Sequence, residues 1–217
     1  MKNVAVILSG CGNRDGSELQ ETISLFYALD KRGIQYTCFA PDGPLKVVSY
    51  TSVSGETGET RNIYAEAARV ARGDIRPLAE FSVSDYDALA LPGGLGAVRN
   101  LSTYAFNGSK MEVNPLVEQV IMSMHSAGKP ICAMCIAPML LAKVLGRFGV
   151  KLTFGDICAA SKTAVALGAV HEVVEATGCC VDERNKVVTT PAYMVSTHIS
   201  QIFDGANAMV AQLEKWL

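Results

Sequence analysis

The sequence is short of histidine and of uncompensated charge. Three histidines occur in 217 residues. His125 falls late in a helical segment, His171 follows a turn and His198 lies in the closing segment. Their spacing does not suggest a zinc site, so no metal is expected. The formal net charge of −2 leaves no long-range field that favours nucleic acid or an anionic membrane. No apolar run reaches the ~18 residues that span a bilayer. Internal repeats, low-complexity tracts and evident linkers are missing, so one domain over 1–217 is expected. The opening "MKNVAVILSG" has one lysine and too short an apolar stretch for a secretory signal, and reads as a first strand.

Hydrophobic residues make up 49% of the chain, enough for a sizeable core. The seven cysteines are odd in number and sit mostly in apolar segments. They read as reduced thiols in a reducing compartment. That means the cytoplasm, or a mitochondrial matrix if the source is a eukaryote and a transit peptide has been removed.

"KNVAVILSG" is a continuous apolar run, as in a strand buried on both faces. "DGSELQETISLFYALDKRG" follows, with Ser17 and Gln20 in a capping-box pattern and Leu19, Ile23 and Phe26 at helical spacing. "IQYTCFAP" is a second strand, so the unit is βαβ and the sheet should be parallel. Residues 42–60 read as a hairpin or excursion at the edge. "TRNIYAEAARVARGD" is helical, and "YDALALPGG" is a third buried strand. "LGAVRNLSTYAFNGSKM" reads as a loop over the surface. "NPLVEQVIMSMHSAG" is a helix capped by Asn114 with Pro115 in its first turn. "KPICAMC" is the fourth buried strand, and "APMLLAKVLGRFG" the next helix. "ATGCCVDERNKVVTTP" reads as a hairpin around Glu183–Lys186. A closing helix follows, with a kink expected at Gly205.

Ligands of open parallel sheets bind at the carboxyl ends of the strands. Three such ends here carry small or polar residues: "SGCG" (9–12), "PGG" (92–94) and "MC" (134–135). Cys135 stands between a strand and a helix whose first turn takes Pro138. Free amides and the dipole at a helix start favour thiolate, so a lowered Cys135 pKa is expected. The alternative is a buried structural cysteine. Cys132 is turned to the opposite face from Cys135, so the C-x-x-C is not expected to form a disulfide. Adjacent Cys179 and Cys180 rarely meet disulfide geometry. Cys11 either packs or lines the same crevice. Glu18 and Glu21 lie near the start of the first helix, where a carboxyl reaches a neighbouring strand end. Plain decoration of the helix dipole is the other reading.

"VILSGCG…DGSELQET", "LPGGLGAVRNLS", "GKPICAMCIAPMLLAKVL" and "VVTTPAYM" together resemble the PfpI-like superfamily, relatives of class I glutamine amidotransferases. Within it, "SGCG", "DGSE", "ETRN", "NLSTYA", "CIAP" and "KVVTTPAYM" resemble the ElbB-like subfamily, often named isoprenoid-biosynthesis glyoxalase. The resemblance spans almost the whole chain. It implies an α/β, flavodoxin-like three-layer sandwich with a mostly parallel central sheet, often dimeric. It puts the elbow cysteine on Cys135 and its hydrogen-bonding glutamate on Glu21. It puts the oxyanion donors on the backbone of Gly93–Gly94 and of Ile136. One departure stands out: Gly155 and Asp156 occupy the place where the superfamily often has a histidine. The amidotransferase His-x-Glu pair is also missing, so amidotransferase and protease activity are not expected.

Two functions follow. One is a cofactor-independent glyoxalase, with no metal, that converts glyoxal or methylglyoxal to a hydroxy acid through Cys135. Its partners are a small dicarbonyl or aldehyde substrate and a second copy of the chain. The other is a non-enzymatic sensor of oxidant or of a carbonyl metabolite that uses the same cysteine.

Overall fold

The structure is a computed structural model that describes residues 2–51 and 55–217. Its apolar runs and amphipathic segments alternate as β1 (Asn3–Ile7), α1 (Leu19–Asp30), β2 (Gln35–Ala40), β3 (Pro44–Val48), β4 (Glu56–Asn62), α2 (Ile63–Val70), β5 (Ile75–Pro77) and β6 (Ala88–Leu91). Then come α3 (Gly96–Arg99), α4 (Tyr104–Asn107), α5 (Pro115–Ser126), β7 (Ile131–Met134), α6 (Pro138–Leu145), β8 (Lys151–Leu152), α7 (Ala159–Ala166), β9 (Val170–His171), β10 (Cys180–Asp182), β11 (Val187–Thr190) and α8 (Ile199–Glu214).

Seven strands form the main sheet in the order β10-β11-β7-β6-β1-β2-β5. Every neighbouring pair is parallel except β10–β11. This is the mostly parallel sheet of a flavodoxin-like α/β fold. The central strands β6, β7 and β11 are buried throughout, as strands covered on both faces must be. Helix α1 packs on α8 and α5 packs on α6. Asn114 Oδ1 caps α5 by accepting from Leu116 N at 3.0 Å, with Pro115 in the first turn.

Three expectations need correction. Ser17 does not cap α1, because its Oγ accepts from Ser9 N at 2.9 Å. Glu18 is the cap instead, its Oε2 accepting from Glu21 N at 2.6 Å. Residues 95–111 are not a surface loop: α3 and α4 form there, and Ala97, Val98, Leu101 and Met111 are core residues. The short edge strand β5, ending in Pro77, is additional. Gly205 lies within a single helix, α8, and its role is close approach. A β-carbon there would collide with Ala176 O and crowd Thr190 Oγ1.

The expected edge excursion is the antiparallel β3–β4 hairpin, a separate small sheet; its residues 52–54 lie outside the described residues. Asp15 anchors it, with Oδ2 accepting from Val48 N at 2.9 Å and Oδ1 from the Tyr50 hydroxyl at 2.9 Å. The hairpin around Glu183–Lys186 forms as β10–β11.

Candidate active site

Strand β7 stops at Met134, and Cys135 turns the chain with φ +60°. That left-handed conformation is uncommon for a residue with a side chain and costs of order 1–3 kcal/mol. Two neighbours enforce it. The Cys135 amide donates to Thr190 O at 2.9 Å, and Pro138 opens α6 with a fixed φ. The strand–turn–helix is a nucleophile elbow in geometry, without the G-x-S-x-G spelling. Cys135 as a whole residue is 8% exposed.

Glu21 comes from the first turn of α1 and is completely buried. Its Oε1 accepts from Tyr193 N at 3.3 Å. Its Oε2 is buried without a well-aligned hydrogen-bond partner; the polar groups beside it are the Cys135 thiol and the Gly93 amide. Gly93 permits this packing. A β-carbon there would collide with both Glu21 Oε2 and Cβ of Cys135.

Burial lifts the Glu21 pKa from 4.5 to about 8, with the Glu18 charge adding to the rise and the hydrogen bonds to Cys135, Tyr193 and Gly93 opposing it. A carboxyl removed from water favours its neutral form, so Glu21 is mostly protonated at neutral pH. The expected fall in the Cys135 pKa is overturned. Burial pushes the thiol well above its ordinary value, and negative charge on Glu21 pushes the same way. The Gly94 and Ile136 amides do pull it down, yet they do not outweigh desolvation. Only when Glu21 keeps its proton is the repulsion between the two groups removed.

The amides of Gly94 and Ile136 both face the Cys135 sulfur. The loop after β6 is tied down to hold them: Leu95 N donates to Asn13 O at 2.8 Å and Gly96 N to Gly16 O at 2.9 Å. The three strand ends therefore meet as expected. Above them opens a crevice of about 780 Å³, with Cys135, Gly94 and Ile136 in its wall.

Glu18, Tyr50, Tyr193 and Met194 also line it. Tyr50 is delivered by the β3–β4 hairpin, and nothing in its local sequence marks it. Tyr193 follows Ala192, which has φ +45°; the positive φ aims the Tyr193 amide at Glu21. The Tyr193 hydroxyl donates to Gln20 Oε1.

Cys11 does not join the site. It packs against the core, with Glu66 and Arg69 of α2 as charged neighbours. Cys132 and Cys135 are both free thiols. Among the described residues no histidine lines the crevice. His125 Nε2 meets Asn185 Oδ1 at 3.1 Å, His171 Nε2 accepts from Phe154 N at 3.2 Å and His198 caps α8 without a side-chain bond. At the position of the superfamily histidine, Gly155 is buried against Val195 and Pro191, where even a β-carbon would collide. No imidazole fits there, and the neighbouring Asp156 is exposed.

The model of the DJ-1/PfpI family matches residues 5–198. The chain is 44% identical over 220 residues to human glutamine amidotransferase-like class 1 domain-containing protein 3, mitochondrial, covering 97% of this chain and 81% of the relative. It is 32% identical to the zebrafish (Danio rerio) ES1 protein, mitochondrial, covering 96% and 83%. Among solved structures it is similar to an isoprenoid biosynthesis protein with an amidotransferase-like domain from Ehrlichia chaffeensis. That match has a TM-score of 0.92 at 31% identity, over 99% of this chain and 100% of that one.

Proposed function

The chain belongs to the DJ-1/PfpI family, and from that premise we propose that it is a cofactor-independent glyoxalase acting on 2-oxoaldehydes through Cys135 and Glu21. The Cys135 sulfur adds to the aldehyde carbon, and the thiol proton ends on the new hydroxyl of a hemithioacetal. The Gly94 and Ile136 amides hold the oxygen while it carries charge. Glu21, in its ionised fraction, takes the proton from that carbon and returns it to the adjacent ketone carbon. The first carbon is oxidised by two electrons and the second reduced by two, so no outside oxidant or reductant is needed. Water then hydrolyses the thioester to the hydroxy acid and restores the thiol. A carboxyl with a pKa of about 8 suits a proton taken up and given back near neutral pH.

The observation that carries this reading is the fully buried Glu21 carboxyl set against the elbow thiol at the foot of a crevice. The lack of an imidazole in that crevice counts against amidotransferase chemistry. The test is lactate formation from methylglyoxal without glutathione. Cys135→Ser should lower it by ~10²-fold or more. No lactate from the wild type, with Cys135 still open to alkylation, would put the carbonyl-sensor reading in its place.

The proposal extends to the setting. A reducing compartment, the cytoplasm or a mitochondrial matrix, suits seven free thiols. Among the described residues no helix is long and apolar enough to cross a membrane. The expected second copy of the chain has a fitting face in the outer side of α1, where Ile23 and Tyr27 are each 46% exposed.

A further inference from the structure

The crevice differs from what methylglyoxal alone requires. Its volume of about 780 Å³ lies within the range, roughly 300–1,000 Å³, that takes drug-sized ligands. Methylglyoxal fills a small part of it. The wall around the thiol is apolar and aromatic: Leu19, Leu95, Ile136 and Met194, with the rings of Tyr50 and Tyr193. Leu19 and Leu95 are 44% and 45% exposed, and both stand at this opening. An apolar group seated between them would take their exposed surface out of water.

Charge points the same way. Among the described residues no Lys, Arg or His lines the crevice, and Glu18 is the one carboxyl that does. The Glu18 carboxyl is held in place, because Oε2 accepts from Glu21 N. An anionic substrate would lose its hydration here, meet no counter-charge, and approach a carboxyl.

We infer that the substrate is an uncharged 2-oxoaldehyde carrying an apolar arm of about aromatic-ring size, seated on the Leu19–Leu95–Met194 wall, and that anionic aldehydes are excluded by Glu18. The identity of the reactive group as an aldehyde rests on the glyoxalase reading; the selectivity of the crevice does not.

Two assays keep these apart. The first measures alkylation of Cys135, in which the sulfur displaces iodide from iodoacetamide, N-benzyliodoacetamide or iodoacetate. Rates are read by peptide mass mapping and divided by those of a free small thiol. The benzyl reagent should react at least ~5-fold faster than iodoacetamide, and iodoacetate at least ~10-fold slower, a difference of about 1.4 kcal/mol in barrier. Glu18→Gln keeps a capping oxygen and should shrink the iodoacetate penalty at least ~3-fold. Leu95→Arg, at an exposed position, should reverse the preference towards iodoacetate and weaken the benzyl advantage. Iodoacetate as fast as iodoacetamide, or a benzyl reagent that is excluded, would overturn the inference.

The second assay compares kcat/KM for phenylglyoxal and methylglyoxal, with at least ~10-fold in favour of phenylglyoxal expected. Methylglyoxal favoured over phenylglyoxal would also overturn it. If neither aldehyde turns over while the alkylation preferences hold, the glyoxalase reading falls and the selectivity stands.

Discussion

Replacing Glu21 by glutamine should remove a loss of stability that the wild type suffers as the pH rises. The Glu21 carboxyl is completely buried and its pKa stands at about 8 against 4.5 in its ordinary state. A pKa raised on folding means that the folded chain holds the proton more tightly. Its contribution is therefore fully present below pH 4.5 and is lost as the pH rises through about 8. Each pH unit inside that window removes about 1.4 kcal/mol. Between pH 5 and pH 8.5 the wild type should lose about 4 kcal/mol on this account alone. Glutamine has the same shape, accepts from Tyr193 N through its carbonyl oxygen and donates to the Cys135 sulfur, and does not titrate. Urea unfolding of both proteins at the two pH values gives the comparison directly. The stability gap should open by about 4 kcal/mol in favour of Glu21→Gln, and the same variant should lose aldehyde turnover by ~10²-fold or more while Cys135 remains open to alkylation. Stability curves that run parallel in pH would refute the account of Glu21 as a buried, proton-holding acid. Wild-type turnover would remove it as the base.

Gly93→Ala should cost roughly 1–3 kcal/mol from overpacking and slow Cys135 alkylation, since its methyl meets both members of the pair; an unchanged melting temperature and alkylation rate would contradict the packing described. Asp15→Ala removes the acceptor of Val48 N and the Tyr50 hydroxyl. It should speed hydrogen exchange in the β3–β4 hairpin and raise KM more than it lowers kcat. If the chain pairs through α1, Ile23→Arg should turn a dimer into a monomer in analytical ultracentrifugation; a dimer that survives it would put the interface elsewhere.

The main strands were legible because strands covered on both faces are spelled as unbroken apolar runs: "VAVIL", "ALAL" and "ICAM" are too short for helices and are bounded by turn residues. Strand β5 was not, because three residues at an edge, one of them Pro77, carry no period. The stretch after β6 misled for a related reason. Glycine and asparagine punctuate it as they do a loop, yet Gly96 serves backbone contact with the loop after β1, and Ala97, Val98, Leu101 and Met111 go inward. Cys135 and its strand-to-helix turn could be read from position. Glu21 was ambiguous with helix decoration until the family resemblance singled it out. The direction of the Cys135 pKa was misread because the helix-start argument has no measure of burial, and desolvation is the larger effect there. Tyr193 was hidden because its contribution is a main-chain amide, aimed by the unusual backbone of Ala192.

The order in which the site is completed follows the order of synthesis. Glu21 and Cys135 are both made before their anchors, for the Cys135 amide is pinned by Thr190 and Glu21 Oε1 by Tyr193. A chain released before residue 187 has no β11 beside β7, and so has neither anchor. Truncated products and nascent chains on the ribosome thus carry the thiol and the acid without the geometry that couples them. The pairing of Cys135 with Glu21 is secured only once residues 187–193 have been made.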